Sequence, residues 1–326
     1  MKKLLNFFKS FFMSIKNCFI LFFLLVSSKI YSQNSTKKLF HIDKYLVTSN
    51  EKNFEYIKEI EDYDSDKKKY PIKIYYKSGK IYLIGTTLNK DKVILDGNCL
   101  YYYENGKRKR LANYENNILI NKQYYYHENG VLKLESEFEV SKNKKESTLK
   151  ILNYFDENNV QKVTNGEGEY VEDGWNDQTS TGTIKNFLKE GIWRGHLIGK
   201  KVSFTEQYNK GKLVVGHSLD SLNNKFTYNV VNERSLPKKG MNDFYNYLKK
   251  NDIIPKNINS KITGKIIINI DINENGKLEN VSAYTGDQYG ITENAIQLIS
   301  QYENWIPGKH RGVNVKTHLT LPIVFQ

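Results

Sequence analysis

Three times between residues 75 and 130 the chain sets a pair of tyrosines before a short polar turn that contains glycine. The copies are Tyr75-Tyr76-Lys77-Ser78-Gly79-Lys80, Tyr102-Tyr103-Glu104-Asn105-Gly106-Lys107 and Tyr125-Tyr126-His127-Glu128-Asn129-Gly130. A degenerate fourth copy, Tyr154-Phe155-Asp156-Glu157-Asn158-Asn159, has Asn in the Gly place. Asn is the natural substitute there, because its short polar side chain tolerates positive φ. A turn dipeptide such as Asn-Gly between aromatic and β-branched runs is a strong local hairpin signal. A spacing of a few tens of residues signals a repeat architecture in which neighbours complete each other's core.

The pattern continues in a second style. Asn165-Gly166-Glu167-Gly168-Glu169-Tyr170, Lys189-Glu190-Gly191-Ile192-Trp193-Arg194-Gly195 and Tyr208-Asn209-Lys210-Gly211-Lys212-Leu213 each read as strand and turn. Composition agrees: the 326 residues include 24 Tyr and 21 Gly, which suit strands and turns. The expected fold is mostly β with a small α+β domain at the carboxy end. Residues 70–235 are expected to form an antiparallel stacked-hairpin array, after a weakly patterned segment at 33–69. Within that segment, Phe54–Ile60 fits a short helix or a strand. The hairpin motifs resemble the MORN-type repeats of YwqK-like proteins. That resemblance implies an interaction or scaffold surface without catalytic machinery.

The net charge of +13 invites a nucleic-acid reading. It is rejected, because only five of the 49 basic residues are Arg, the side chain suited to bidentate phosphate and guanine contacts. Residues 1–32 read as an export signal. Lys2, Lys3, Lys9 and Lys16 precede the apolar run Cys18–Val26, which is shorter than the roughly 20 residues a membrane-spanning helix needs. Cleavage near Ser32 is expected. The alternative is an uncleaved anchor in which Phe11–Ile15 extends the apolar stretch. After cleavage Cys99 would be the one cysteine left, so no internal disulfide is expected.

Residues 236–326 change character. Asp243–Lys250 reads as a short helix ended before Pro255. Ile266, Ile268, Ile270 and Ile272 alternate on one face of a strand that opens at Gly264. Asn275-Gly276-Lys277 is a hairpin turn, and Leu278–Tyr284 the return strand. Ile291, Ala295, Leu298, Ile299 and Tyr302 follow helical spacing, with Thr292 as the expected cap. A last strand is expected over Val313–Phe325. The result is a three-stranded sheet with helices packed on one side.

The residues Gly264, Asn275, Gly276, Ala295, Trp305, Pro307, Gly308, Gly312, Pro322 and Phe325 resemble, in order and spacing, the TonB carboxy-terminal domain family, in its Bacteroidetes-type form. The resemblance implies a periplasmic or envelope protein that lends a sheet edge to a segment of an outer-membrane TonB-dependent receptor, or to another envelope protein. Val313–Phe325 is the candidate edge, with Val313, Val315, Lys316, His318 and Thr320 as the peptide-binding residues. If the amino terminus stays anchored, an ExbB/ExbD-like motor is the further partner implied. The competing reading is an envelope scaffold, or a glycan- or protein-binding repeat protein, with this domain as a structural module.

No catalytic constellation stands out, so neither an enzyme nor a cofactor is expected. The histidines at 41, 127, 196, 217, 310 and 318 are scattered and form no metal-binding pair on a helix. His127 is expected as a solvated turn residue. Glu167, Glu169, Glu172 and Asp173 read as solvent-facing rather than as a calcium site. Lys107-Arg108-Lys109-Arg110 reads as a solvated turn.

Overall fold

The computed structural model describes residues 36–48, 52, 54–141, 147–173, 178–254, 262–285, 289–303 and 305–325. The expected export segment, Pro255 and positions 286–288 lie outside the described residues. The chain forms two compact units, residues 1–131 and 132–326.

The first unit is a meander in which each strand pairs antiparallel with the one before. Its strands are β1 (Lys37–Ile42), β2 (Tyr56–Glu61), β3 (Tyr70–Tyr76), β4 (Ile81–Thr87), β5 (Gly97–Tyr102), β6 (Arg108–Glu115) and β7 (Ile118–Tyr126). The segment that fitted helix or strand is therefore β2, and among the described residues hairpin pairing starts at β1.

The tyrosine repeat has a definite geometry. The Tyr76 N–H donates to Lys80 O, and the Gly79 N–H donates to Tyr76 O. The same two bonds join Tyr103 to Lys107 and Gly106, and His127 to Val131 and Gly130. The fourth residue of each turn has positive φ, and Asn159 fills that place in the fourth copy at φ 63°. The tyrosine hydroxyls link successive copies. Tyr76 Oη donates to Tyr102 O at 2.8 Å, and Tyr103 Oη to Tyr126 O at 2.7 Å. Phenylalanine could fill the space but could not make these bonds. Cys99 lies buried among Ile72, Ile74 and Leu83, and burial pushes its thiol up to about 11.

Two expectations for this region are corrected. His127 occupies its turn but is buried. Arg110, expected on a solvated turn, is buried too. Its guanidinium lies 4.9 Å from the Tyr125 ring centre and donates to Gln123 Oε1, so ring faces and an amide take the place of a carboxylate.

The second unit continues the same pairing rule. Its hairpin strands are β8 (Leu132–Val140), β9 (Ser147–Phe155), β10 (Gln161–Thr164), β11 (Glu167–Asp173), β12 (Gln178–Lys185), β13 (Leu188–Leu197), β14 (Val202–Asn209), β15 (Lys212–Leu219) and β16 (Lys225–Tyr228). Here glycines make room for rings on the next strand. Phe204 lies opposite Gly195, and Tyr228 opposite Gly216. A Cβ on either glycine would come within 2.3 Å of ring atoms. Trp193 covers Gly182 in the same way, and Tyr154, Tyr170, Trp193 and Tyr208 meet edge to face along this side.

The rest of the unit comprises β17 (Asn232–Glu233), β18 (Leu236–Pro237), α1 (Met241–Lys250), β19 (Gly264–Ile272), β20 (Leu278–Thr285), α2 (Ile291–Ser300), β21 (Trp305–Ile306), β22 (Gly308–His310), β23 (Val313–Val315) and β24 (Thr317–Phe325). The main sheet has the order β20-β19-β24 and is antiparallel throughout. Ile266, Ile268, Ile270 and Ile272 form its buried face, against Phe244, Leu248, Ala295, Ile299 and Trp305. Phe325 lies on Gly264, and Gly276 passes so close to the Trp305 carbonyl that a Cβ would lie 2.6 Å from it. Two expectations are corrected. The final strand is not continuous: β23 pairs with β22 in a small sheet with β17, and only β24 joins β19. Thr292 is not the cap of α2. It lies buried in the first turn, after Gly290 in the left-handed conformation.

The turn between β22 and β23 ties this domain to the hairpins. Arg311 Nε donates to Glu206 Oε1 at 2.8 Å, with both side chains almost fully buried. Glu206 also accepts from Tyr208 and Tyr228, and burial beside that carboxylate pushes both phenols up. Arg311 lies 3.7 Å over the Phe204 ring and donates to Gln178 Oε1. Its backbone N–H donates to Val231 O, and its carbonyl accepts from Ser218 Oγ. Val313 packs on Leu197, Val202 and Phe204.

Removing one partner of a buried pair leaves an uncompensated charge. Arg311→Leu is therefore expected to cost about 3–5 kcal/mol in urea unfolding, and Arg311→Leu with Glu206→Leu to recover most of that loss. His310 gives a pH handle. Its Nδ1 lies 2.7 Å from Asn232 Oδ1, and Arg311 Nη1 lies 2.9 Å from its Nε2. Burial first, then Arg311 and Lys200 against an opposing Glu206, hold the imidazole below its ordinary value. A base held low in the fold contributes stability above its unfolded pKa of about 6.5, and that contribution is lost as pH falls below it. The urea midpoint should therefore drop between about pH 7.5 and 5.5, and drop less in His310→Gln.

Candidate functional site

The free side of β24 is the candidate site. In the β20-β19-β24 sheet this strand has a partner on one side alone among the described residues. It pairs with β19 over its whole length, from Thr317 opposite Ile272 to Phe325 opposite Gly264. Pro322 sits in the middle, opposite Ile267. Proline has no N–H to give, so it is found on edge strands with that position facing outward. Tyr245 of α1 donates its hydroxyl to the Pro322 carbonyl at 3.4 Å, which places that carbonyl on the free side as well. In an antiparallel ladder such outward positions alternate with paired ones. His318, Thr320, Pro322 and Val324 therefore direct their backbone groups away from β19, while Leu319, Leu321 and Ile323 bond to it.

A groove runs beside the carboxy-terminal half of this edge. It encloses about 670 Å³ between α1, the residues that follow it, and β24. Leu248, Ile253, Ile254 and Phe325 supply its apolar surface, with Tyr245 and Val324 at the rim. Val324 is 70% exposed. An extended chain laid along β24 would find backbone partners on the strand and apolar contacts in the groove.

The face of the sheet away from the helices is polar and internally paired. His318 Nδ1 lies 2.8 Å from Asp271 Oδ1, and Thr320 Oγ1 donates to Asn269 Oδ1 at 2.9 Å. Lys316 Nζ lies 2.6 Å from Glu279 Oε2. That hydrogen bond is the main reason the lysine is raised and the carboxyl lowered from their ordinary values. These side chains set the wet face of the strand, and its backbone sets the docking edge.

The residues expected at the edge are thus divided. His318 and Thr320 lie on β24, and Lys316 lies at the joint before it. Val313 and Val315 lie on β23, paired with His310 and Gly308 of β22. Sequence reasoning missed Tyr245, Ile253, Ile254 and Val324. It treated Pro322 as a structural signature, although a proline inside an alternating strand is itself an edge signal. Elsewhere, Glu172 accepts from Lys189 and Ser180. Among the described residues no group of three or more His, Cys, Asp or Glu could hold a metal ion, and no helix is long and apolar enough to cross a membrane.

Residues 256–326 match the family model of the Gram-negative bacterial TonB protein C-terminal. This stretch holds β19 to β24, so the free edge and one wall of the groove belong to the matched region. Neither the curated proteins nor the solved structures include a match to this chain.

The wall and the rim of the groove should respond differently to substitution. Leu248→Ala is expected to cost about 2–5 kcal/mol in denaturant unfolding, because it empties a filled core site. Val324→Thr should stay within about 0.5 kcal/mol, because that side chain already faces water.

Proposed function

We propose that this chain is a non-enzymatic cell-envelope protein whose carboxy-terminal domain takes up an extended segment of an outer-membrane receptor by strand addition to β24, in TonB-dependent transport. The observation that carries this reading is the unpaired side of β24 beside an apolar groove, within the TonB-type region. An added strand would bond to the outward groups of His318, Thr320 and Val324 and to the Pro322 carbonyl. Tyr245 would release that carbonyl on binding. The hairpin strands, read as MORN-like repeats, would carry the domain within the periplasm. An export signal at residues 1–32 would bring the chain there. If that segment stayed as an anchor, an ExbB/ExbD-like motor could act on the chain through the hairpins.

The buried Arg311–Glu206 pair favours a second role alongside the first. A domain held by a buried ion pair and a shared apolar cluster is suited to serve as a structural module of a scaffold.

Val324→Pro tests the first reading. It deletes an outward N–H and leaves the pairing with β19 intact, so folding stability should change little. Anisotropy of a labelled receptor-segment peptide should show about tenfold weaker binding for one lost backbone bond of about 1.4 kcal/mol. Equal affinity in both proteins, or peptide-induced amide shifts remote from 318–325, would sink the strand-addition reading.

A further inference from the structure

A second surface stands apart from the β24 edge, on the solvent-facing side of β13–β16. Strand register places two rows of side chains side by side there. One row is Arg194, Thr205, His217 and Thr227, and the other is His196, Ser203, Leu219 and Lys225. Together they line a groove of about 490 Å³ whose lining includes no carboxylate.

The charges in this groove lack partners. Arg194, His196 and Lys225 are exposed, and no hydrogen bond or ion pair holds them among the described residues. Elsewhere on the hairpins cations find acids, as in Lys73 with Glu61, Lys133 with Asp173 and Lys189 with Glu172. Asp173, the nearest acid in line with the His196 row, is occupied by Lys133. Arg194 is also one of only five arginines in the chain, and its planar fork suits bidentate binding of a carboxylate. His217 Nδ1 lies 3.1 Å from Thr227 Oγ1, which fixes the ring and leaves Nε2 free to face a ligand.

The layout sets the size of the ligand. Arg194 and Lys225 lie three strand spacings apart, ~14 Å at ~4.8 Å per step. A single small ion cannot reach both. Between them stand Ser203, Thr205 and Thr227, whose hydroxyls can both donate and accept, as sugar hydroxyls require. We infer that this groove binds an acidic oligosaccharide, with carboxylates at Arg194 and Lys225 and sugar hydroxyls over the serine and threonine rows.

Calorimetric titration of the full chain with an oligogalacturonate tests this. The oligomer should bind, and its fully methyl-esterified form and monomeric galacturonate should bind at least about tenfold more weakly, since each gives up charge-assisted hydrogen bonds. Arg194→Gln and Lys225→Gln should each weaken binding by about tenfold or more at unchanged thermal stability. Lys212→Gln, an exposed lysine on β15 outside the groove, should leave it unchanged. The inference is overturned if the oligomer does not bind, if the ester binds as well, or if Lys212→Gln weakens binding as much as Arg194→Gln. It is also overturned if the chain binds phosphatidylglycerol vesicles through Arg194 and Lys225 but no saccharide.

Discussion

The arrangement of the second unit depends on one buried charge pair. Arg311 reaches from the turn between β22 and β23 to Glu206 on β14, and the pair is sealed by Phe204, Tyr208 and Tyr228. Such a pair adds little net stability relative to a well-packed apolar contact, because both charges must leave water. It does penalise every arrangement that leaves either charge buried alone. The pair therefore specifies position: it fixes where β22 and β23 sit on the last hairpins, and through them the line on which β24 begins. The break at Lys316 follows from this. Residues 313–315 are held against Leu197, Val202 and Phe204, while residues 317–325 follow β19.

The hairpins use one backbone device repeatedly. Each tyrosine-led turn closes with the same pair of hydrogen bonds and puts a left-handed residue at its fourth position, glycine or asparagine. Asn273–Lys277, between β19 and β20, uses it too. Two side-chain devices then join neighbouring hairpins. In the first unit tyrosine hydroxyls donate to the next copy's carbonyls. In the second, rings rest on glycines of the adjacent strand.

Much of this was legible in the sequence. The turn chemistry at 79, 106 and 130, and the substitution of Asn at 159, follow from local rules that need no tertiary contact. The alternation from Ile266 to Ile272 and the helical spacing from Ile291 to Ile299 marked the buried faces correctly. The segment at 54–60 stayed ambiguous, because a short run of mixed residues fits either period. Thr292 was misassigned as a cap because Gly290, already left-handed, ends the preceding loop. His127 and Arg110 were misjudged because polar residues near a turn are usually wet. Here tyrosine rings from neighbouring strands enclose Arg110.

The residues alone determined the hairpin repeat and the alternating core strands, since each rests on local propensity or periodicity, and they carried the resemblance to the TonB-type domain at the carboxy end. Only the tertiary structure decided which strand keeps a free edge, that Tyr245 caps Pro322 upon it, and that Arg311 finds Glu206 across 105 positions of chain. Those outcomes depend on which groups meet when distant segments pack, and charge pairing and edge exposure have no period that a linear pattern could show.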